Sequence, residues 1–278
     1  MKTWFITGAS RGFGALIASR ALQAGDNVVA TARDPQKIVD ALGNHPKLLP
    51  TPLDVTNEAQ AREAVSATIQ RFGRIDVLVN NAGFGLLGAV EEATAEEVEK
   101  VYGTNVFGLL KVSRAVLPYM RKQRSGHIIN FSSVGGYRSS PGFGVYCSTK
   151  FAVEGLSEAM AAELEPLGIK VTIIEPGYFR TDFLDDRSLT VSPTSIEDYS
   201  ATAGVVRSKA KKVSHNQPGN PEKLAVELVV LAGREDAPLR MPFGSDAVDA
   251  IEAKNVSVTE ELEKWRSVSI TTDFEQVA

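Results

Sequence analysis

Short β-branched and aliphatic runs alternate along the chain with longer stretches whose apolar positions return every three or four residues. The first run, Thr3 to Ile6, reads as a strand and passes into a glycine-rich turn. From about Gly12 to Ala24 the apolar positions Phe13, Leu16, Ile17, Ala21 and Leu22 have helical spacing. Asn27 to Ala32 reads as the second strand. Asp34-Pro35 then reads as an N-cap followed by proline at the first helical position. A third strand lies within "KLLPTPLDV", and Asn57 opens a helix to about Phe72. Ile75 to Asn80 is almost continuously apolar, as a strand buried on both faces must be. Thr94 and Glu97 form a capping box, opening a helix expected to continue through Asn105 to Met120. "GHIINFSS" is a fifth strand, about Phe143 to Leu167 a helix, and "KVTIIEPG" a sixth strand. Residues 221–233 read as a helix and "LRMPF" as a short last strand. Residues 245–268 read as a helical tail, weakened at Val256-Ser257-Val258.

Strands and helices in unbroken alternation predict an α/β fold, a doubly wound parallel sheet with helices on both faces. The predicted organisation is a single catalytic domain over 1–244 with a C-terminal helical extension, 245–278. Residues 182–220 stand apart. They are polar, weakly periodic and long for a connection, which predicts a lid, with Arg207, Lys209, Lys211 and Lys212 on a solvated helix face. The composition, 43% hydrophobic and 23% charged over 278 residues, fits a globular protein. The net charge of -4 supplies no basic field for nucleic acid or anionic lipid. No apolar run approaches the roughly 20 residues of a membrane-spanning helix. Cys147 is the only cysteine, so no intramolecular disulfide can form and a cytoplasmic location is expected. Nothing in the sequence suggests a metal site.

The first turn, Thr7-Gly8-Ala9-Ser10-Arg11-Gly12-Phe13-Gly14, lies between a strand and a helix. Glycines there let a pyrophosphate reach backbone N–H groups at the helix N-terminus. A carboxylate about 20 residues further on would bind a ribose 2′-hydroxyl and select NAD. Asp34 has that spacing but is accounted for as an N-cap. Ala32 and Arg33 leave the strand, and Arg11 adds a second guanidinium. Arginine forks match the oxygens of a 2′-phosphate, so NADP(H) is the expected cofactor.

The chain resembles the short-chain dehydrogenase/reductase family in "TGASRGFG" at 7–14, "LDV" at 53–55, "NNAG" at 80–83, Asn105, "SS" at 132–133, "YCSTK" at 146–150 and "PGYFRT" at 176–181. These motifs cover about the first two-thirds of the chain. The resemblance implies a Rossmann-type fold and an oxidoreductase with a catalytic tetrad of Asn105, Ser133, Tyr146 and Lys150. The family's catalytic serine precedes the tyrosine by thirteen residues, which selects Ser133 over Ser132. It further implies a dinucleotide held by Gly8, Ser10, Arg11, Gly12, Phe13, Gly14, Arg33, Pro176 and Gly177. Asp54 and the backbone of Val55 would meet adenine, Asn80 and Ala82 the adenosine ribose, and Gly83 would let the cofactor pass closely. Thr181 would hold the nicotinamide carboxamide and Lys150 the nicotinamide ribose. Asn105 would tether a water linking Lys150 to solvent. Pairing through residues 105–121 and 147–166, as a homodimer or homotetramer, is also implied. The stretch "PLRMPFGSDA" is loosely similar to a branch related to 17β-hydroxysteroid dehydrogenases.

A free tyrosine has a pKa of about 10 and is a poor acid near neutrality. Tyr146 and Lys150 stand four residues apart on a helix, about 6 Å along its axis, on one face. The ammonium is therefore expected to stabilise the phenolate. The Ser133 hydroxyl would bind the same substrate oxygen. Phe84, Leu86, Val134, Tyr137, Phe143, Tyr178, Phe183 and Leu184 are expected around the carbonyl. They suggest a small-molecule substrate, an apolar or aromatic ketone, aldehyde or secondary alcohol. Three rival readings are a non-catalytic NADP(H) sensor, an NAD-preferring dehydrogenase, and an isomerase or lyase that retains its nucleotide.

Overall fold

A computed structural model describes residues 1–274 apart from 186 and 214–215. Its elements in chain order are β1 (Thr3–Thr7), α1 (Gly12–Gln23), β2 (Asn27–Ala32), α2 (Gln36–Leu42), β3 (Leu48–Pro52), α3 (Glu58–Phe72), β4 (Val77–Asn80) and β5 (Gly85–Leu87). They continue as α4 (Ala95–Tyr102), α5 (Leu109–Gln123), β6 (Gly126–Phe131), α6 (Gly144–Leu164), β7 (Ile169–Pro176) and β8 (Leu189–Val191). The last are α7 (Val205–Val213), α8 (Pro221–Leu231), β9 (Arg240–Phe243) and α9 (Ser245–Ser269).

Seven strands pair in the order β3-β2-β1-β4-β6-β7-β9. Every pairing is parallel, with Thr3 opposite Asn27, Trp4 opposite Val77, Val77 opposite His127 and Ile173 opposite Arg240. Side chains alternate between the faces of a strand, so β1 feeds two cores. Trp4 and Ile6 pack with Ile17 and Ala21 of α1 and Leu224 and Leu228 of α8. Phe5 packs on the other face with Val65 of α3, Val112 and Val116 of α5 and Val153 of α6. Each fully buried chain of this kind contributes roughly 1.5–3 kcal/mol. Burial on both faces explains why these strands read as unbroken apolar runs. This is the single-domain, doubly wound sheet that the alternation predicts.

The local signals act as expected. Asn57 caps α3 through bonds from the N–H groups of Ala59 and Gln60. Asp34 accepts from the N–H of Gln36, although α2 begins one residue later than its proline suggests. The Thr94–Glu97 box closes in both directions.

Four features differ from expectation. The helix through Asn105 is interrupted by a π turn, Gly103–Gly108, joining α4 to α5. Residues 182–220 contain a strand that the sequence did not suggest: β8 pairs with β5 in a second, two-stranded sheet, and α7 follows. Arg207 is not solvated. It makes a 2.7 Å ion pair with Glu92, whose side chain is 1% exposed. Lys209 and Lys212 do face solvent, and the Lys211 side chain lies outside the described residues. Finally, α9 runs unbroken through Val256 and Val258, because β-branched residues cost a helix only tenths of a kcal/mol each. Of the expected extension, residues 275–278 lie outside the described part. Among the described residues no helix is long and apolar enough to cross a membrane.

Candidate active site

The strand order reverses between β1 and β4, the place where open α/β sheets leave a crevice beyond their strand ends. A cleft of about 1740 Å³ opens there. It exceeds the roughly 300–1,000 Å³ typical of a site for one small molecule, leaving room for a dinucleotide and a second reactant.

At one end lies the glycine turn. Gly8 and Gly12 have φ of 67° and 54°, in the left-handed region that a side chain disfavours. A Cβ on Gly14 would stand 2.4 Å from the Gly8 carbonyl oxygen. Gly14 thus lets α1 close onto the turn. It is not among the residues lining the cleft, unlike Gly8, Ser10, Arg11, Gly12 and Phe13. No side chain caps the N-terminus of α1, so its first N–H groups suit the phosphates of a dinucleotide.

Two expectations at this end need correction. Asn80 does not face the cleft. Its amide donates to Ser113 Oγ and Asn130 Oδ1, both at 2.9 Å, inside the protein. The cleft residue is Asn81, which donates to the carbonyls of Thr7 and Gly8 and so ties β4 to the glycine turn. Asn80, the last residue of β4, points inward, and Asn81, just past the strand end, points out. Arg11, expected to meet a 2′-phosphate, instead donates from Nη2 to the Arg187 carbonyl at 2.6 Å and to Ser188 Oγ at 2.7 Å. Its guanidinium ties the glycine turn to the segment before β8. Arg33 borders the cleft with Lys37, a cation that sequence reasoning missed. Asp54 lies on the same rim, its carboxylate held by the N–H and hydroxyl of Thr56 at 2.9 and 2.7 Å. Those bonds and the nearby Arg33 and Lys111 outweigh burial and hold its pKa below the usual range. Val55, Ala82 and Gly83 also line this half, as expected.

At the other end Ser133, Tyr146 and Lys150 come together on the cleft wall. Burial pushes the Tyr146 phenol above its ordinary pKa, and the nearby Ser133 hydroxyl pulls the other way. Burial brings Lys150 down to about 8, opposed by Glu154. Lys150 shares the Tyr146 face of α6, and its ammonium is anchored on the backbone of β6. Lys150 Nζ donates to the Phe131 carbonyl at 2.8 Å and lies 5.8 Å from the centre of the Tyr146 ring. For the phenol, burial is the largest influence. The Tyr146 ring is held among Phe143, Cys147, Leu87 and Leu189.

Asn105 sits in the π turn, a kind of helix defect common at functional sites. Its side chain is committed: Oδ1 accepts from the N–H of Phe84, and Nδ2 donates to the Phe84 carbonyl and to Thr149 Oγ1. The amide fixes the backbone just after Gly83. A Cβ on Gly83 would meet Asn105 Oδ1 at 3.1 Å and Lys150 Nζ at 3.7 Å, so the glycine keeps this wall open.

Of the expected substrate residues, Phe84, Val134, Phe143, Tyr178, Phe183 and Leu184 line the cleft, as do Pro176, Gly177 and Thr181. Tyr137 does not: its hydroxyl donates to Asn255 on α9. Cys147, Leu189 and Asp246 are lining residues that the sequence did not single out. Asp246, in the first turn of α9, accepts from the N–H of Tyr178 at 2.7 Å. The helix after β9 thus holds the loop after β7.

The short chain dehydrogenase profile matches residues 2–191. A 3-ketodihydrosphingosine reductase of Bacteroides thetaiotaomicron is 42% identical over 252 residues, spanning 91% of this chain and 91% of that protein. The crystal structure of a short-chain dehydrogenase from Streptomyces avermitilis superposes with a TM-score of 0.91 at 40% identity, covering 98% of this chain and 100% of that one. Structures of the same fold hold either dinucleotide. One from Burkholderia phymatum is in complex with NAD (TM-score 0.80, 25% identity, 95% of each chain). A serine dehydrogenase is complexed with NADP+ (TM-score 0.70, 32% identity, 86% of this chain and 94% of that one).

Proposed function

Since the chain belongs to the short-chain dehydrogenase/reductase family, we propose that it is an NADP(H)-dependent oxidoreductase interconverting an apolar or aromatic ketone or aldehyde with its alcohol. The observation that carries this reading is the convergence of Ser133, Tyr146 and Lys150 on one wall of a cleft whose other end is the glycine turn, with the Ser133 hydroxyl near the Tyr146 phenol. Bound nicotinamide supplies or accepts the hydride. The protein's part is to place the carbonyl and manage one proton. Tyr146, kept protonated by burial, donates to the oxygen as negative charge grows there, and the Ser133 hydroxyl bonds the same oxygen. In alcohol oxidation Tyr146 takes the proton back. With a pKa of about 8, Lys150 is still an ammonium at neutral pH and favours the phenolate through space. Asn105 holds the Gly83–Phe84 wall behind it.

Arg33 and Lys37 support NADP(H), because both border the cleft. Asp34 and Asp40 are engaged by Gln36, through its backbone N–H and its side-chain amide respectively. The apolar substrate reading rests on Val134, Phe143, Phe183, Leu184 and Leu189. The relative named above adds 3-ketodihydrosphingosine to the substrates worth testing.

The test follows absorbance of the reduced nicotinamide across ketones, aldehydes and alcohols. Turnover is expected with an apolar member of the panel, and NADPH should bind at least about tenfold more tightly than NADH, as matched charge at a 2′-phosphate requires. Tyr146→Phe should lower kcat by roughly a thousandfold, within the range for general acid–base groups, while NADPH binding stays within a few-fold. Equal turnover by the variant overturns the role of Tyr146, and equal or tighter NADH binding overturns the cofactor preference.

A further inference from the structure

The face of α6 that carries Tyr146 and Lys150 continues, at four-residue steps, to Glu154 and Glu158. Glu154 is 6% exposed, and next to it Glu175 of β7 is 0% exposed. Arg240 reaches both from β9: its Nε stands 3.1 Å from Glu154 Oε2 and 3.5 Å from Glu175 Oε1, while its Nη2 bonds the exposed Glu158. The sheet dictates this meeting. Ile173 is paired with Arg240 and Glu175 with Pro242, so Arg240 and Glu175 project from the same face two positions apart.

Ser132 joins the cluster from the end of β6. A Cβ on Gly136 would lie 2.3 Å from Ser132 Oγ, 3.1 Å from Glu154 Cγ and 3.0 Å from the Lys150 carbonyl, so all three groups close around that glycine. Ser132 Oγ, Glu154 Oε1 and both Glu175 oxygens lack a hydrogen bond of ordinary length, although the two carboxyl groups face each other and Glu154 faces Ser132. The charged groups facing the pair are Lys150 and Glu158 from α6 and Arg240 from β9.

Two buried carboxylates sharing one guanidinium cannot both ionise freely, so they hold a proton between them. Arg240 hydrogen-bonds Glu154 and makes only a longer contact with Glu175, which places the negative charge on Glu154 and the proton on Glu175. Burial, and then the charge of Glu154, push Glu175 up to about 7.

We propose that Glu154 and Glu175 form a positioning pair for the site above, one that fixes a negative charge one turn beyond Lys150, keeps that lysine an ammonium, and sets the pH at which the Tyr146–Lys150 pair gives up its proton. The proposal rests on the catalytic reading of Tyr146 and Lys150. Its direction follows from electrostatics. A negative charge at Glu154 favours the lysine cation and disfavours the tyrosine anion, so it raises the pH at which either group loses its proton. Removing that charge lowers it.

The test uses the full chain with Glu154→Gln and, separately, Glu175→Gln. In Glu154→Gln the alkaline limb of carbonyl reduction should move about one pH unit lower, the small end of the effect of an opposite charge within ~4–6 Å. The rising limb of alcohol oxidation should move the same way. Glu175→Gln should shift both limbs in that direction by less, because of the two carboxyl groups it is Glu154 that bears directly on Lys150. Lowered activity with unmoved limbs would mean that the pair merely supports the fold, and would overturn the proposal. NMR titration of the Lys150 Cε resonance, assigned with Lys150→Arg, reads the same charge without turnover. Its midpoint should fall in Glu154→Gln, and an unchanged midpoint overturns the proposal. If no carbonyl is reduced by any form of the protein, the catalytic reading fails by itself, and the lysine titration still decides whether the pair holds its charge.

Discussion

On the nucleotide side of the cleft the walls are backbone; on the substrate side they are side chains that meet across long stretches of sequence. Gly8, Gly12 and Gly14 build the first side within one turn, braced by Asn81 and Thr7 at adjacent strand ends. The second side depends on Glu92 meeting Arg207, Arg11 meeting Ser188, Asp246 meeting Tyr178 and Tyr137 meeting Asn255. A backbone wall cannot accept a Cβ without moving a strand or a helix. A side-chain wall can be rebuilt one contact at a time, so specificity can change there while the nucleotide end stays intact.

Three substitutions would break or sharpen that division. The largest effect is expected from Gly14→Ala, whose Cβ would stand 2.4 Å from the Gly8 oxygen and 2.9 Å from the Ala9 Cα. Stability in denaturant should fall by about 2–3 kcal/mol, the upper part of the range for overpacking, with dinucleotide affinity falling alongside. A variant with native affinity would show that the turn yields more easily than its geometry says. Next is Glu92→Gln. Glu92 accepts from the N–H groups of Ala89 and Ile196 and from Arg207, anchoring the segment after β8. The substrate KM should rise about tenfold, as misplacement of a distant wall can do, while the dinucleotide Kd holds. If Glu92→Gln weakens dinucleotide binding as much as substrate binding, the two sides are one unit. The smallest effect is expected from Asp246→Asn, which keeps the shape and removes the charge from the bond to the Tyr178 N–H. A two- to fivefold rise in KM is expected, about the scale of a weakened single hydrogen bond, and a large drop in dinucleotide affinity would place Asp246 on the other side of the division.

The same contrast explains what the sequence could and could not reveal. Strand and helix signals are local, so β1, α1, β2, the Asn57 cap and the Thr94 box could be read from neighbouring residues. Ser133, Tyr146 and Lys150 fall on one wall because their spacing is tied to one strand end and one helix. The pairing of β5 with β8 was not legible. Each is three residues long, too short for a pattern, and its partner lies about a hundred positions away. Arg207 read as a solvated lysine-and-arginine face because nothing near it in sequence announces Glu92. Asn80 and Asn81 are the same letter, and only where β4 ends decides which one looks inward. The contacts of Arg11 were not legible either, because its hydroxyl and carbonyl partners come from a segment whose path no local signal records. Asn105 gave the opposite kind of hint. An asparagine in mid-helix is unfavourable, and the π turn supplies the reason that its spacing alone did not.

That π turn has a consequence for how this chain can change. Gly103–Gly108 contains a surplus residue relative to the helices it joins. Rewinding that turn as ordinary α-helix while keeping the surplus residue would make a continuous rod and swing everything beyond it by about 100°. The apolar stripe of α5, Val112, Val116 and Met120, would then face the wrong way, and the clasp on Phe84 would open with it. The irregularity is thus a register lock, in which the core and the reactive end of the molecule share a single misfit, and neither can lose it alone.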